Sequence, residues 1–173
     1  MPLLLQATPA QHAVERDEED DQRSGGDQVH VLDVAVVVTP HHQHERVFLQ
    51  CRIFDAENVP VNDAMIELWQ AYSDGRYRHA DTPASDISFS GFGRAATNEH
   101  GFCDFETIKP GPVPSPDGKL QAPHISVAIY ARGILLQLYS RIYFAGDPAN
   151  DQDSVLALVP EARRQTLLAQ PDP

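Results

Sequence analysis

Arg46-Val47-Phe48-Leu49-Gln50-Cys51-Arg52-Ile53-Phe54-Asp55 alternates from end to end. Successive side chains of an extended chain point to opposite faces, so Val47, Leu49, Cys51 and Ile53 share one side while Phe48, Gln50, Arg52 and Phe54 share the other. A helix would scatter the same residues around its circumference. One uniformly apolar face against one mixed face is the pattern of a strand in a sheet buried on a single side.

The same period returns on both flanks. Val29 to Thr39 (VHVLDVAVVVT) is β-branched, and Ala64 to Tyr72 sets Ile66 and Leu68 opposite Glu67 and Trp69. Gly101 to Ile108, His124 to Ala131 and Leu135 to Phe144 bring the count to at least six strands. Turn chemistry separates them at Glu57-Asn58-Val59-Pro60-Val61-Asn62 and Asn98-Glu99-His100-Gly101. One helix is predicted over Pro160 to Ala169, with proline and an acid in its first turn and Pro171 beyond its end. Many short strands and one late helix predict an all-β fold, a two-sheet β-sandwich of mainly antiparallel strands with one short C-terminal helix.

The chain has 173 residues and a formal net charge of −12, spread unevenly. Residues 1–28 hold seven acids against Arg16 and Arg23, for −5, while residues 147–173 contribute −3 and the long middle only −4. Residues 1–28 are therefore expected to be an acidic segment, disordered or loosely packed, because few large apolar side chains are there to offset ordering entropy. Residues 29–173 are expected to form the sandwich. A polyanion offers nothing to a phosphate backbone or an anionic membrane surface, which argues against both partners. Cys51 and Cys103 are too few for a disulfide framework and lack zinc-site spacing, so both read as buried free thiols. No apolar run approaches a membrane span, and Met1 to Leu5 lacks a basic flank, so a cytoplasmic location is expected.

Four clusters could carry chemistry. His41-His42-Gln43-His44-Glu45 groups potential ligands, but neighbours on extended chain diverge and a polar hairpin loop is the simpler reading. In Gly75-Arg76-Tyr77-Arg78-His79 a phenol lies between guanidiniums whose field would favour a phenolate, unless the segment is only an exposed loop. His124 opens an apolar strand, where a hydrogen-bonded structural histidine is the commoner outcome. Arg132, in Tyr130-Ala131-Arg132-Gly133, and Arg141 each present a planar fork that could bind a carboxylate, although surface pairing is the commoner fate. Gly-rich phosphate loops, nucleophile elbows and paired-cysteine redox motifs do not occur.

The order of segments carries more. Asp63-Ala64-Met65-Ile66-Glu67-Leu68-Trp69-Gln70-Ala71, Gly75-Arg76-Tyr77, Gly91-Phe92-Gly93-Arg94, Thr107-Ile108-Lys109-Pro110-Gly111, Ala122-Pro123-His124-Ile125 and Arg141-Ile142-Tyr143-Phe144 resemble the intradiol ring-cleavage dioxygenases from about Val29 to Ala169. The resemblance is closest to the α subunits of the protocatechuate 3,4-dioxygenase branch. It implies a partner, a homologous catalytic β subunit in an α–β hetero-oligomer, and that β subunit is where Fe(III) is expected, held by two tyrosines and two histidines. The substrates implied are a dihydroxybenzoate, protocatechuate, and O2, and the product 3-carboxy-cis,cis-muconate.

Within that resemblance, Tyr77 matches the first iron-binding tyrosine and His124 the first histidine, while Val113 and Ser126 stand where the other two ligands would be. Valine has no donor and a neutral serine hydroxyl is a poor one for a hard ferric ion, so this chain is expected to bind no metal and to hold no catalytic residue of its own. The resemblance gives Arg132 a substrate-binding role, as the arginine that an α subunit extends toward its partner's site. Two departures stand out. Thr8-Pro9-Ala10-Gln11 is followed by His12-Ala13-Val14-Glu15-Arg16 rather than the Thr-Ala-Gly-Pro-Tyr segment of the family's α chains, and a final strand beyond the helix is expected to be missing. The function implied is that of a non-catalytic α subunit; the alternative is a degenerate paralogue acting only as a binding or assembly module.

Overall fold

The computed structural model describes residues 30–39, 45–78, 89–115 and 118–171, with residues 30–39 and 171 described by their backbone alone. The acidic segment 1–28 and the histidines of the 41–45 cluster lie outside the described residues. In chain order the strands are β1 His30–Thr39, β2 Arg46–Phe54, β3 Met65–Gln70, β4 Phe92–Ala96, β5 Phe102–Ile108, β6 Val113–Pro114, β7 Leu120–Gln121, β8 His124–Tyr130, β9 Leu138–Phe144 and β10 Leu168–Pro171. The two layers are β1-β2-β5 and β4-β3-β8-β9, and β10 lies between β9 and β1 to join them into one run of eight strands. Pairing is antiparallel throughout except at β10, which runs parallel to both neighbours. The β6-β7 ribbon stands apart.

The apolar face of β2 behaves as its alternation requires. Val47, Leu49, Cys51 and Ile53 are buried in one cluster with Ile66 and Leu68 of β3, Ile125, Val127 and Ile129 of β8, and Ile142 and Phe144 of β9. Burying each large aliphatic side chain stabilises the fold by about 1.5–3 kcal/mol relative to leaving it in water. On the outer face Arg52 lies over the rings of Phe54 and Phe102, and Gln50 donates to Asp104 across the ladder. Cys51 and Cys103 are directly opposite each other on β2 and β5, buried and unbridged. At the open side Gly93 of β4 lies so close to Phe105 of β5 that an added Cβ would stand 3.2 Å from the ring.

The C-terminal region departs from the sequence reading. Only Glu161–Arg164 forms an α-helix, α1; Gln165–Leu167 tightens into a 3-10 turn, and the chain then becomes β10. A helix of ten residues is marginal on its own, whereas the strand satisfies backbone groups on both flanks and buries Ala169 in the core. A strand therefore follows the short helix, and the edges of β1 and β9 that face each other are covered by it. β4 also escaped the sequence reading because Phe-Gly-Arg-Ala-Ala has little intrinsic strand preference; its register with β3 holds it in the sheet.

The two faces of β2 should respond unequally to truncation. Leu49→Ala is expected to lower stability by about 2–5 kcal/mol, and Phe48→Ala, on the outer face and 44% exposed, by much less. Urea unfolding of both variants checks this, and equal losses would contradict the assigned faces.

Candidate functional site

β8 serves two faces. Ile125, Val127 and Ile129 enter the core, so His124, Ser126, Ala128 and Tyr130 project from the outer side of the same strand. The register places Trp69 of β3 and Arg141 of β9 on either side of Ser126, and Tyr143 of β9 opposite His124. Three segments lie against this face.

The first follows β3 and carries Tyr77. Asp74 accepts hydrogen bonds from the Arg76 backbone N–H at 3.0 Å and from its Nε at 2.9 Å, which holds the Asp74 carboxyl below the usual carboxylate range. Gly75 has φ +81°, and a Cβ there would come within 2.0 Å of the Pro112 carbonyl oxygen. Gly111 N–H donates to the Tyr72 carbonyl at 2.9 Å, so the Tyr77 loop is stitched backbone to backbone onto the second segment. That segment continues into β6, where Val113 is buried and pairs with Gln121 of β7. The third contributes Asp153, a buried carboxylate that accepts N–H bonds from Ala122 (2.7 Å), Val155 (2.9 Å) and Leu156 (2.6 Å) and the Tyr143 hydroxyl at 3.3 Å.

The sequence-identified positions therefore meet. His124 lies beside Tyr143 with ring centroids 5.8 Å apart, Arg141 is paired opposite Ser126, and Val113 is linked to the group through Gln121. Burial pushes the Tyr77 phenol up, outweighing the Arg141 charge and the nearby Ser126 hydroxyl that pull it down. Tyr77 is thus a neutral phenol, neither the phenolate that flanking guanidiniums would favour nor a fully exposed loop residue. The reason is geometric: Arg76 turns away to pair with Asp74, and the phenol is withdrawn from water. His124 is neutral as well, pushed down to about 4 by burial and then by Arg141. Its Nδ1 lies 2.7 Å from the Ala122 carbonyl oxygen, which can only accept, so Nδ1 carries the hydrogen.

Arg141 is not the surface pair that sequence favoured. Its Nη1 donates to Gln121 Oε1 at 2.8 Å and to the Tyr143 hydroxyl at 3.2 Å, while its Nε is buried without a partner among the described residues. Gln121, Tyr143 and Asp153 are the residues that sequence reasoning missed. Nothing in a charge-rich stretch distinguishes one buried acid from its exposed neighbours; the alternation of β9, which turns Tyr143 away from the main core into a smaller buried cluster with Ala122 and Leu156, was the available signal. A ferric ion does not fit this set: Val113 offers no donor, a neutral Ser126 hydroxyl is a poor one, and a guanidinium held by Gln121 and Tyr143 is paired directly opposite Ser126.

Arg132 lies elsewhere. It occupies the turn after β8, eight residues beyond His124 and so roughly 26 Å along an extended strand. Its side chain is 76% exposed, with Nε 3.4 Å from Asp63 Oδ2. Leu135 and Leu136 follow it, both exposed.

Between about pH 6.5 and 4 the unfolded chain binds a proton at His124 that the folded chain refuses. Stability should therefore fall as pH drops through that window, by up to about 3 kcal/mol from this residue. His124→Gln removes this component, so its stability deficit relative to the parent should shrink steadily on acidification. A deficit that stays constant in urea titrations from neutral to acid pH would contradict the buried neutral imidazole.

Comparison with known proteins gives the family. A family model described as "Dioxygenase" matches residues 30–173. The protocatechuate 3,4-dioxygenase α chain of Burkholderia cepacia is 38% identical over 140 residues, covering 79% of this chain and 68% of that one. The β chain of the same name from that organism is 34% identical over 131 residues, covering 72% and 55%. The chain thus spans about two thirds of the α chain's length and about half of the β chain's. The crystal structure of 3-chlorocatechol 1,2-dioxygenase from Rhodococcus opacus 1CP shares the fold, with a TM-score of 0.54 at 20% identity over 87% of this chain and 54% of that one. With its sandwich, its ordered motifs and these relatives, the chain belongs to the intradiol ring-cleavage dioxygenase family.

Proposed function

We propose that this chain is the non-catalytic α subunit of a protocatechuate 3,4-dioxygenase. It pairs with a homologous β subunit whose Fe(III) centre cleaves protocatechuate with O2 to 3-carboxy-cis,cis-muconate. The observation that carries this reading is a site in which two donor positions are Val113 and Ser126, while the remaining Tyr77 and His124 are neutral and His124 is hydrogen-bonded to the Ala122 carbonyl. A chain of this family so equipped supplies structure and contacts to its partner, and the chemistry happens there.

Arg132 is the substrate contact in this reading. An exposed guanidinium on a turn flanked by exposed leucines suits a surface that meets another chain and extends a cation into it. Protocatechuate is a benzoate, and a planar donor fork recognises its carboxylate and orients the ring. The Asp63 partner holds the side chain only loosely at 3.4 Å, so it is free to re-pair.

Co-expression with the β subunit and metal analysis test the assignment. The complex should hold one iron per α–β pair and the isolated chain none. Stoichiometric Fe(III) in the isolated chain, with a visible tyrosinate-to-iron band, would contradict it; full turnover by the β subunit alone would leave this chain as an assembly module. Arg132→Ala in the complex should raise KM for protocatechuate about tenfold, on the order of one charge-assisted hydrogen bond, with little change in KM for O2. Unchanged kinetics would remove Arg132 from the site.

A further inference from the structure

The remnant site has a charge of its own at its centre. Arg141 reaches it because β9 pairs with β8 in a register that sets Arg141 directly opposite Ser126, on the outer face. Its Nη1 donates both to Gln121 Oε1 at 2.8 Å and to the Tyr143 hydroxyl at 3.2 Å. Tyr143 in turn donates to Asp153, whose carboxylate is buried and fixed by three backbone N–H groups. Cation, phenol and carboxylate thus form one internally balanced chain. The charge of Arg141 also acts on Tyr77 and His124, the two surviving donor positions. A guanidinium cannot shed its proton to make way for another cation, unlike a buried lysine.

We propose that Arg141 is the resident cation of this site, standing among Tyr77, His124 and Tyr143 where a metal ion would stand and excluding one. This inference rests on the reading of the chain as the iron-free partner, and it goes further. Loss of two ligands would then be only half the reason the site takes no metal; restoring them without removing Arg141 leaves a fixed positive charge in a partly buried site, where like charges are screened less than in open water. The buried Nε, with no acceptor among the described residues, fits a side chain placed by the strand register rather than by a full set of partners.

The test uses the full chain in the double variant Val113→Tyr/Ser126→His, with and without Arg141→Gln, loaded with iron in air and desalted. With Arg141 retained, bound iron should stay below about a tenth of an equivalent; with Arg141→Gln it should rise roughly tenfold and develop the visible tyrosinate-to-iron band. Equal iron in the two proteins, whether high or low, would overturn the proposal. Should Val113→Tyr prevent folding, Ser126→His alone, with and without Arg141→Gln, gives the same comparison with Co(II) read by its absorption. Equal cobalt binding would again overturn it. Iron in the unsubstituted chain would instead contradict the α-subunit reading, so the two failures are distinguishable.

Discussion

The strand β8 has to satisfy two environments at once, and the rest of the molecule is arranged around that demand. Its odd-numbered residues Ile125, Val127 and Ile129 close the core against β2, which fixes the register of the whole second sheet. The even-numbered residues are then forced onto the opposite face whatever their chemistry. His124 and Ser126 are thereby placed beside Arg141 and Tyr143 by backbone pairing alone. Any slip by one residue would expose the core and scatter the site together, so the packing that stabilises the fold also protects the geometry of the outer face.

What lies over that face depends on close backbone approach. Gly75 and Gly111 meet where a Cβ on either would come within 2.3 Å of a backbone oxygen, and this contact holds the loop that carries Tyr77 against the segment leading into β6. Asp153 performs the corresponding task on the other side by gathering three N–H groups and a hydroxyl. The result is a site assembled from neutral donors and one guanidinium, with its counter-charge supplied from within the protein. Guanidinium and carboxylate are joined there through the Tyr143 hydroxyl.

Much of this was legible in the sequence, for reasons that differ by residue. The period of two at Val47 to Ile53 and at Ile125 to Ile129 wrote the layers directly, because burial on one side leaves no other solution. Tyr77, Val113, His124 and Ser126 could be named through family motifs, since a ligand position is a matter of residue identity. The environment of those residues was not legible. Whether Tyr77 is a phenol or a phenolate depends on how burial weighs against Arg141, and burial of a loop residue is decided by contacts remote in sequence. Arg141 read as one of two surface arginines because strand register is a tertiary fact. The stretch from Gln165 to Ala169 read as helix for the same reason: its local preference is helical, and only the facing edges of β1 and β9 make a strand of its end.

The central claim is that the site between Tyr77 and Ser126 carries a guanidinium in place of a metal, while the reaction belongs to a partner chain. Anomalous diffraction at the iron edge from crystals of the co-purified complex tests it most directly. The account predicts one strong peak per α–β pair, bound by partner residues alone, with no peak near Tyr77 and Arg141 held against Gln121 and Tyr143. An iron peak bonded to the Tyr77 hydroxyl oxygen and His124 Nε2 would contradict it.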